Sequence, residues 1–133
     1  MLPAAIFLLV VMAALGAFFV QVGAASQQAA ALDMQGARAL QAARAGIERG
    51  LYAVQIESAC GGGTLANIPG LNGFRVTWAC NAVAFTDGGT NRTIWQITST
   101  ACYTGDTGCP SSLTDEIRRS DYVERQLIVV TER

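Results

Sequence analysis

The sequence predicts an α+β fold, a long N-terminal α-helix followed by a small C-terminal antiparallel β-sheet domain. Three observations carry this expectation. Residues 1–20, MLPAAIFLLVVMAALGAFFV, contain no polar side chain, and the first charge is Asp33. Residues 24–57 are alanine-rich, with apolar side chains recurring at three- and four-residue steps, the helical period. The composition then changes at Ser58, after which come all four cysteines, both tryptophans and segments that alternate with period two.

The apolar run comes first. It is long enough to cross a bilayer of ~30 Å as a helix, which takes about 20 residues. Ala5, Ile6, Phe7, Leu8, Leu9, Val10, Val11, Leu15, Gly16, Phe18 and Phe19 are the candidate membrane and assembly residues. A removable secretory signal is the competing reading, with Val22-Gly23-Ala24-Ala25-Ser26 as a small-residue cleavage site. Nothing basic precedes the run, however, and the helical pattern continues past that point.

In the second part of the helix, Leu32, Gly36, Leu40, Ala43, Ile47, Leu51 and Val54 form one stripe, while Asp33, Arg38, Gln41, Arg44 and Glu48 fall off it. Gly36, Leu40, Ile47 and Leu51 are the candidate packing residues. Read continuously, residues 3–57 make a helix of ~80 Å at 1.5 Å per residue, more than a domain of this size encloses. The expected organisation is a helix over 1–57, with 1–32 as transmembrane or assembly arm and 33–57 amphipathic, and a globular domain over 58–133. Glycines at 16, 23, 36, 46 and 50 interrupt the helix. Gly46 with Gly50, and Ala13 with Ala17, have the small-xxx-small spacing that lets helices approach closely. Gly16 and Gly23 are places for local unwinding.

Beyond Ser58, residues 60–73 (CGGGTLANIPGLNG) read as loop. Phe74–Cys80 alternates as a strand with Phe74, Val76 and Trp78 on one face. Residues 86–91 carry turn chemistry. Thr93–Tyr103 reads as a second strand with Trp95, Ile97 and Ala101 facing one way, 105–115 as loop, and Tyr122–Thr131 as a third strand. A domain this small is marginal on a hydrophobic core alone. The even cysteine count beside a membrane-crossing segment favours disulfides in an oxidising compartment. Three pairings are possible; the local one joins Cys60 to Cys80 and Cys102 to Cys109. A four-cysteine zinc site is the rival, but the spacing contains no C-x-x-C knuckle.

Composition narrows the function. Of 133 residues, 51% are hydrophobic and 14% charged, against about 25% charged in an ordinary soluble protein. There is no histidine, and the basic residues are all arginine. This excludes imidazole bases, Ser-His-Asp and Cys-His pairs, a P-loop lysine and a lysine Schiff base. The net charge of −1 argues against a nucleic-acid partner. No enzyme activity and no cofactor are expected. Asp115 and Glu116 are adjacent in a loop, and Asp87 and Asp106 sit in turns, positions that suit solvated acids. A calcium site at residues 87–91 or 105–106 lacks EF-hand spacing. Asn91-Arg92-Thr93 matches a glycosylation sequon but reads as a turn entering a strand. Trp78 and Trp95 fit core positions, while Tyr103 and the loop to Cys109 are expected at the surface, where an adhesin-type module would use them.

The order of segments resembles the type IV pilins and pseudopilins. The residues that carry the resemblance are Ala5–Val11 with Ala14–Ala17, Gln35–Ala39 with Gln41–Gly46, and Tyr122–Leu127. Within that family they are most similar to the minor pilin-like proteins of the mannose-sensitive haemagglutinin (MSHA) pilus system. The resemblance implies insertion into the bacterial inner membrane through the apolar helix and removal of a basic leader by a prepilin peptidase. It also implies assembly with other pilin subunits into an extracellular filament. Met1 falls where the family's mature first residue stands, as expected of a processed chain or one given without its leader. Most pilins carry a glutamate at the fifth mature position, thought to meet the neighbouring subunit's amino terminus; this chain has Ala5. The departure suits a minor subunit at the filament tip or in assembly priming. A major shaft subunit and a membrane-anchored adhesin are the alternatives.

Overall fold

A computed structural model describes residues 2–105 and 108–132; Met1 and Asp106, both singled out above, lie outside the described residues. The element order is α1 (Leu2–Gln55), β1 (Gly62–Leu65), β2 (Phe74–Asp87), β3 (Thr90–Tyr103), α2 (Thr114–Ile117) and β4 (Glu124–Glu132). A long N-terminal helix and a small antiparallel sheet, an α+β layout, are therefore present. The chain divides into two compact units, Met1–Met34 and Gln35–Arg133. The second holds the remainder of α1 together with the whole sheet.

The sheet is a four-stranded meander in the order β1-β2-β3-β4, antiparallel throughout. The sequence suggested three strands, and β1 is the addition. Its residues Gly-Gly-Thr-Leu have no period-two signal, and the strand exists because glycine lets it lie close to β2. A Cβ on Gly62 would stand 2.9 Å from the Trp78 carbonyl oxygen, and one on Gly63 3.3 Å from the Trp78 indole nitrogen. The short α2 also falls within sequence read as loop. The β2–β3 hairpin is longer than expected, pairing from Phe74 opposite Tyr103 to Asp87 opposite Thr90. Its two-residue turn is Gly88-Gly89, both at positive φ, as a type I′ turn requires.

Between residues 36 and 54, α1 lies on one face of the sheet. The buried helical residues are mostly small: Gly36, Ala39, Ala42, Ala43, Gly46, Ile47, Gly50, Ala53 and Val54. Ala39, Ala42 and Ala43 pack with Phe74, Val76, Ala101 and Val123. One helical segment further on, Ile47 and Val54 pack with Ile97, and Leu51, Trp95, Leu127 and Val129 close around them. Leu40 and Leu51 are half-buried, and Leu32, on the same stripe by spacing, is exposed. Full burial of side chains such as Val54, Val76 and Ile97 stabilises the domain by roughly 1.5–3 kcal/mol each.

The glycine pair at 46 and 50 faces the sheet. A Cβ on Gly46 would stand 2.2 Å from Ser99 Oγ and 2.5 Å from Val76 Cγ1, and one on Gly50 2.5 Å from Ile97 Cγ2. The spacing that suggested helix–helix contact thus serves helix-on-sheet contact within the chain. On the opposite face, Cys102 bonds Cys109 and brings the following loop against Thr77, whose hydroxyl accepts from the Cys109 N–H at 3.2 Å. A second disulfide, Cys60–Cys80, ties the segment after α1 to β2.

Candidate functional site: the exposed apolar helix

In the first half of α1 the described apolar side chains are exposed. Ala5, Ile6, Phe7, Leu8, Leu9, Val10, Val11, Leu15, Phe18 and Phe19 are all exposed, the large side chains from 37% at Val11 to 71% at Leu9 and Phe19. Gly16 and Gly23 have nothing within 4 Å of where a Cβ would be. The local cause is simple. Leucine, alanine and methionine are strong helix formers, and Pro3 lies in the first turn, where its missing N–H costs nothing. Helix formation pairs the backbone groups internally, the condition for entering a bilayer. Ser26, polar and past the apolar run, donates its hydroxyl to the Gly23 carbonyl oxygen at 2.9 Å, so it too is satisfied inside the helix.

By length and composition, Pro3–Gln55 contains a segment able to cross a membrane: its most apolar 18-residue window has a mean hydropathy of 2.6, and none of it is buried. Leaving this much aliphatic surface in water is costly at about 25 cal/mol per Å². Lipid or another apolar surface would remove it from water. The arrangement offers contact chemistry and no reacting group.

The domain residues named from sequence separate into two groups. Gly36 and Ile47 are buried against the sheet, with the Arg125 guanidinium lying over Gly36, 3.1 Å from where its Cβ would be. Segments 35–46 and 122–127, distant in sequence, therefore meet. Cys60, Cys80, Cys102 and Cys109 are all disulfide-bonded. Tyr103, expected at the surface, is half-buried and packs edge-on against Phe74 with ring centroids 5.3 Å apart. Trp78 is buried.

A polar network holds the loop between β3 and β4. Glu116 accepts hydrogen bonds from the Thr104 hydroxyl and, at 2.7 Å, from the Ser111 hydroxyl. These bonds, Thr104's first, hold the Glu116 carboxyl below the ordinary glutamate range. Tyr122 donates to Glu124 at 2.6 Å, and burial together with that bond pushes the phenol up. Arg119 and Asp121 form an exposed ion pair at 2.7 Å, whose hydrogen bond lowers the aspartate and raises the arginine. Each member of the network is occupied by a structural partner. Among the described residues, no three histidine, cysteine or acidic side chains are arranged to hold a metal ion.

Sequence reasoning missed this network and the role of Ser99, whose buried hydroxyl has no hydrogen-bond partner. The one signal in the sequence is a run of hydroxyl residues, at 104, 107, 111, 112 and 114, that ends on Glu116. Comparison of the chain with models of known families, with curated proteins and with solved structures gives no match.

Proposed function

We propose that this chain is a structural subunit of a bacterial pilin-like filament of the type IV pilus or pseudopilus kind, closest in kind to the MSHA minor pilins. The first half of α1 holds it in the inner membrane before assembly and packs among the helices of other pilin subunits afterwards. The observation that supports this reading is the run from Ala5 to Phe19, helical, apolar and exposed on every side. A helix apolar all round is built to be buried in something. The disulfide-tied domain, with two cystines and a small core, suits an oxidising space outside the cytoplasm.

The subunit is a minor one, acting at the tip or in priming. Ala5 places no carboxylate among the apolar helices, which avoids the desolvation of a buried charge and gives up the pairing that such a charge makes with a neighbour. A subunit with no neighbour beyond it loses nothing by that exchange. Immunogold labelling of sheared filaments with an antibody to residues 58–133 tests the reading. Label at filament ends is expected. Uniform label along the shaft assigns a shaft role instead, and absence of the chain from the sheared fraction overturns the filament reading.

A further inference from the structure

The segment joining β1 to β2 ends in a tight turn over residues 71–74, in which the Phe74 N–H donates to the Leu71 carbonyl at 3.2 Å. Asn72 and Gly73 are its two central residues, and both are exposed. Gly73 lies at φ +84°, the left-handed region that favours glycine. Space is closed to a side chain there as well, because a Cβ on Gly73 would stand 2.5 Å from Tyr103 Cε2. The turn therefore demands glycine at 73, while no contact demands asparagine at 72. Among the described residues, neither the Asn72 carboxamide nor the Gly73 N–H has a hydrogen-bond partner. The chain has three other asparagines, and they precede Ile68, Ala82 and Arg92, residues with a Cβ beside the amide nitrogen. Asn81 also lies within β2 and Asn91 within β3, where the Asn91 Oδ1 accepts from the Thr86 hydroxyl at 3.1 Å.

We propose that Asn72 deamidates spontaneously in the folded chain, and that its β-linked product loosens the end of the sheet where β2 begins and β3 ends. The Gly73 amide nitrogen, having given its proton to hydroxide, attacks Asn72 Cγ. The new N–Cγ bond closes a five-membered succinimide as the Cγ–Nδ2 bond breaks, and ammonia leaves with a proton taken from water. A second water then opens the ring. Cleavage between Gly73 N and Cγ leaves aspartate, and cleavage between Gly73 N and the main-chain carbonyl carbon of residue 72 leaves isoaspartate. In sum, a carboxamide and water become a carboxyl group and ammonia, with no oxidant or reductant. Glycine at 73 permits the attack because it has no Cβ to shield the nitrogen. The 72–73 peptide unit must swing toward the side chain, which gives up the single turn bond from Phe74 to Leu71 at an exposed site. Isoaspartate adds a methylene to the main chain just before Gly73. The Gly73 carbonyl accepts the Thr104 N–H at 3.2 Å, and the Tyr103 ring that covers Gly73 packs on buried Phe74. A longer main chain shifts Gly73 away from both.

The inference is independent of the filament reading and is tested on the purified full chain in detergent. Incubated in mildly alkaline buffer, the folded chain should release ammonia and gain the mass of NH2 exchanged for OH, faster as hydroxide rises. Fragmentation of the reduced peptide between Arg49 and Arg75 should place the change at residue 72, with isoaspartate there detected by enzymatic methylation of its carboxyl group. Asn72→Gln, whose longer side chain would close a larger ring, should lower the rate at least tenfold. Conversion only after unfolding in denaturant, or faster at Asn67 or Asn91 than at residue 72, overturns the proposal. Amide exchange at Phe74 and Thr104 should be at least tenfold faster in the isoaspartate fraction than in the unconverted chain. Asn72→Asp, which adds the charge without the methylene, should leave it unchanged. Exchange that is unaltered in the isoaspartate fraction, or raised equally by Asn72→Asp, overturns the loosening by the added methylene.

Discussion

The two halves of α1 are made from similar residues and meet opposite surroundings. Residues 3–34 carry large aliphatic and aromatic side chains that are exposed, whereas residues 36–54 bury glycine and alanine against a sheet. Glycine shows the contrast most clearly. At Gly16 a methyl group would enter open space, and at Gly46 it would collide with Ser99 and Val76. The same residue type is permissive in one half and obligatory in the other. The apolar surface of the first half is therefore exposed and open to lipid or to another apolar surface. In the second half, small size sets how closely the helix approaches the sheet.

The contrast can be broken most sharply at the glycines. Gly46→Leu should destabilise the domain by about 3 kcal/mol or more, since overpacking a tight contact forces rotamer and backbone shifts. Gly16→Leu, in open space, should leave domain stability unchanged. Denaturant unfolding of the full chain in detergent, followed by tryptophan fluorescence, measures both. Equal effects at the two positions would remove the distinction.

A charge in the first half tests the other side of the comparison. Leu9→Arg should oppose membrane insertion by roughly 2.5–3.5 kcal/mol, read as a shift of the chain from the membrane pellet to the soluble fraction. Removing the Cys102–Cys109 bond by Cys102→Ser with Cys109→Ser should cost the domain about 2.5 kcal/mol, from loop closure over a short segment, and leave membrane partition unaltered. Thermal unfolding and fractionation of the same double variant check the two halves of that statement.

Much of this contrast was legible in the sequence. The charge-free run, the alanine-rich continuation and the alternation at 74–80 and 122–131 each follow a single period, and single periods read well. What was missed depends on contacts between distant segments. β1 is a strand because Gly62 and Gly63 fit against Trp78, and nothing in GGTL itself alternates. The stripe of Leu32, Gly36, Leu40, Ala43, Ile47, Leu51 and Val54 leaves out Gly46 and Gly50, where the helix stands closest to the sheet, because the strands that meet them are distant in sequence. Tyr103 looked like a surface residue until β2 placed Phe74 beside it. The Thr104–Ser111–Glu116 network joins a strand end, a loop and α2, and no local pattern encodes that meeting.

Smaller effects sharpen the picture of the domain. Glu116 has its carboxyl held low in the folded state, so its contribution is present above about pH 4.3, the ordinary glutamate value, and is lost as pH falls through the lowered one. Amide exchange at Thr104 and Ser111 should accelerate on acidification below that value. Glu116→Gln should accelerate it already at neutral pH and flatten the pH dependence. The smallest change expected is from Ser99→Ala. Its hydroxyl is buried without a partner beside Gly46, so deletion should shift stability by no more than about 1 kcal/mol, toward greater stability.

In the proposed function, the first half of α1 is a membrane anchor before it is an assembly surface. Alkaline carbonate extraction of inner membranes from cells making the full chain without other filament subunits tests it most directly. The chain should stay in the carbonate-resistant pellet, and Leu9→Arg should release it. Recovery of the unaltered chain in the soluble fraction, with residues 5–20 protected from protease, would show that the apolar surface is covered by protein alone and would contradict the account.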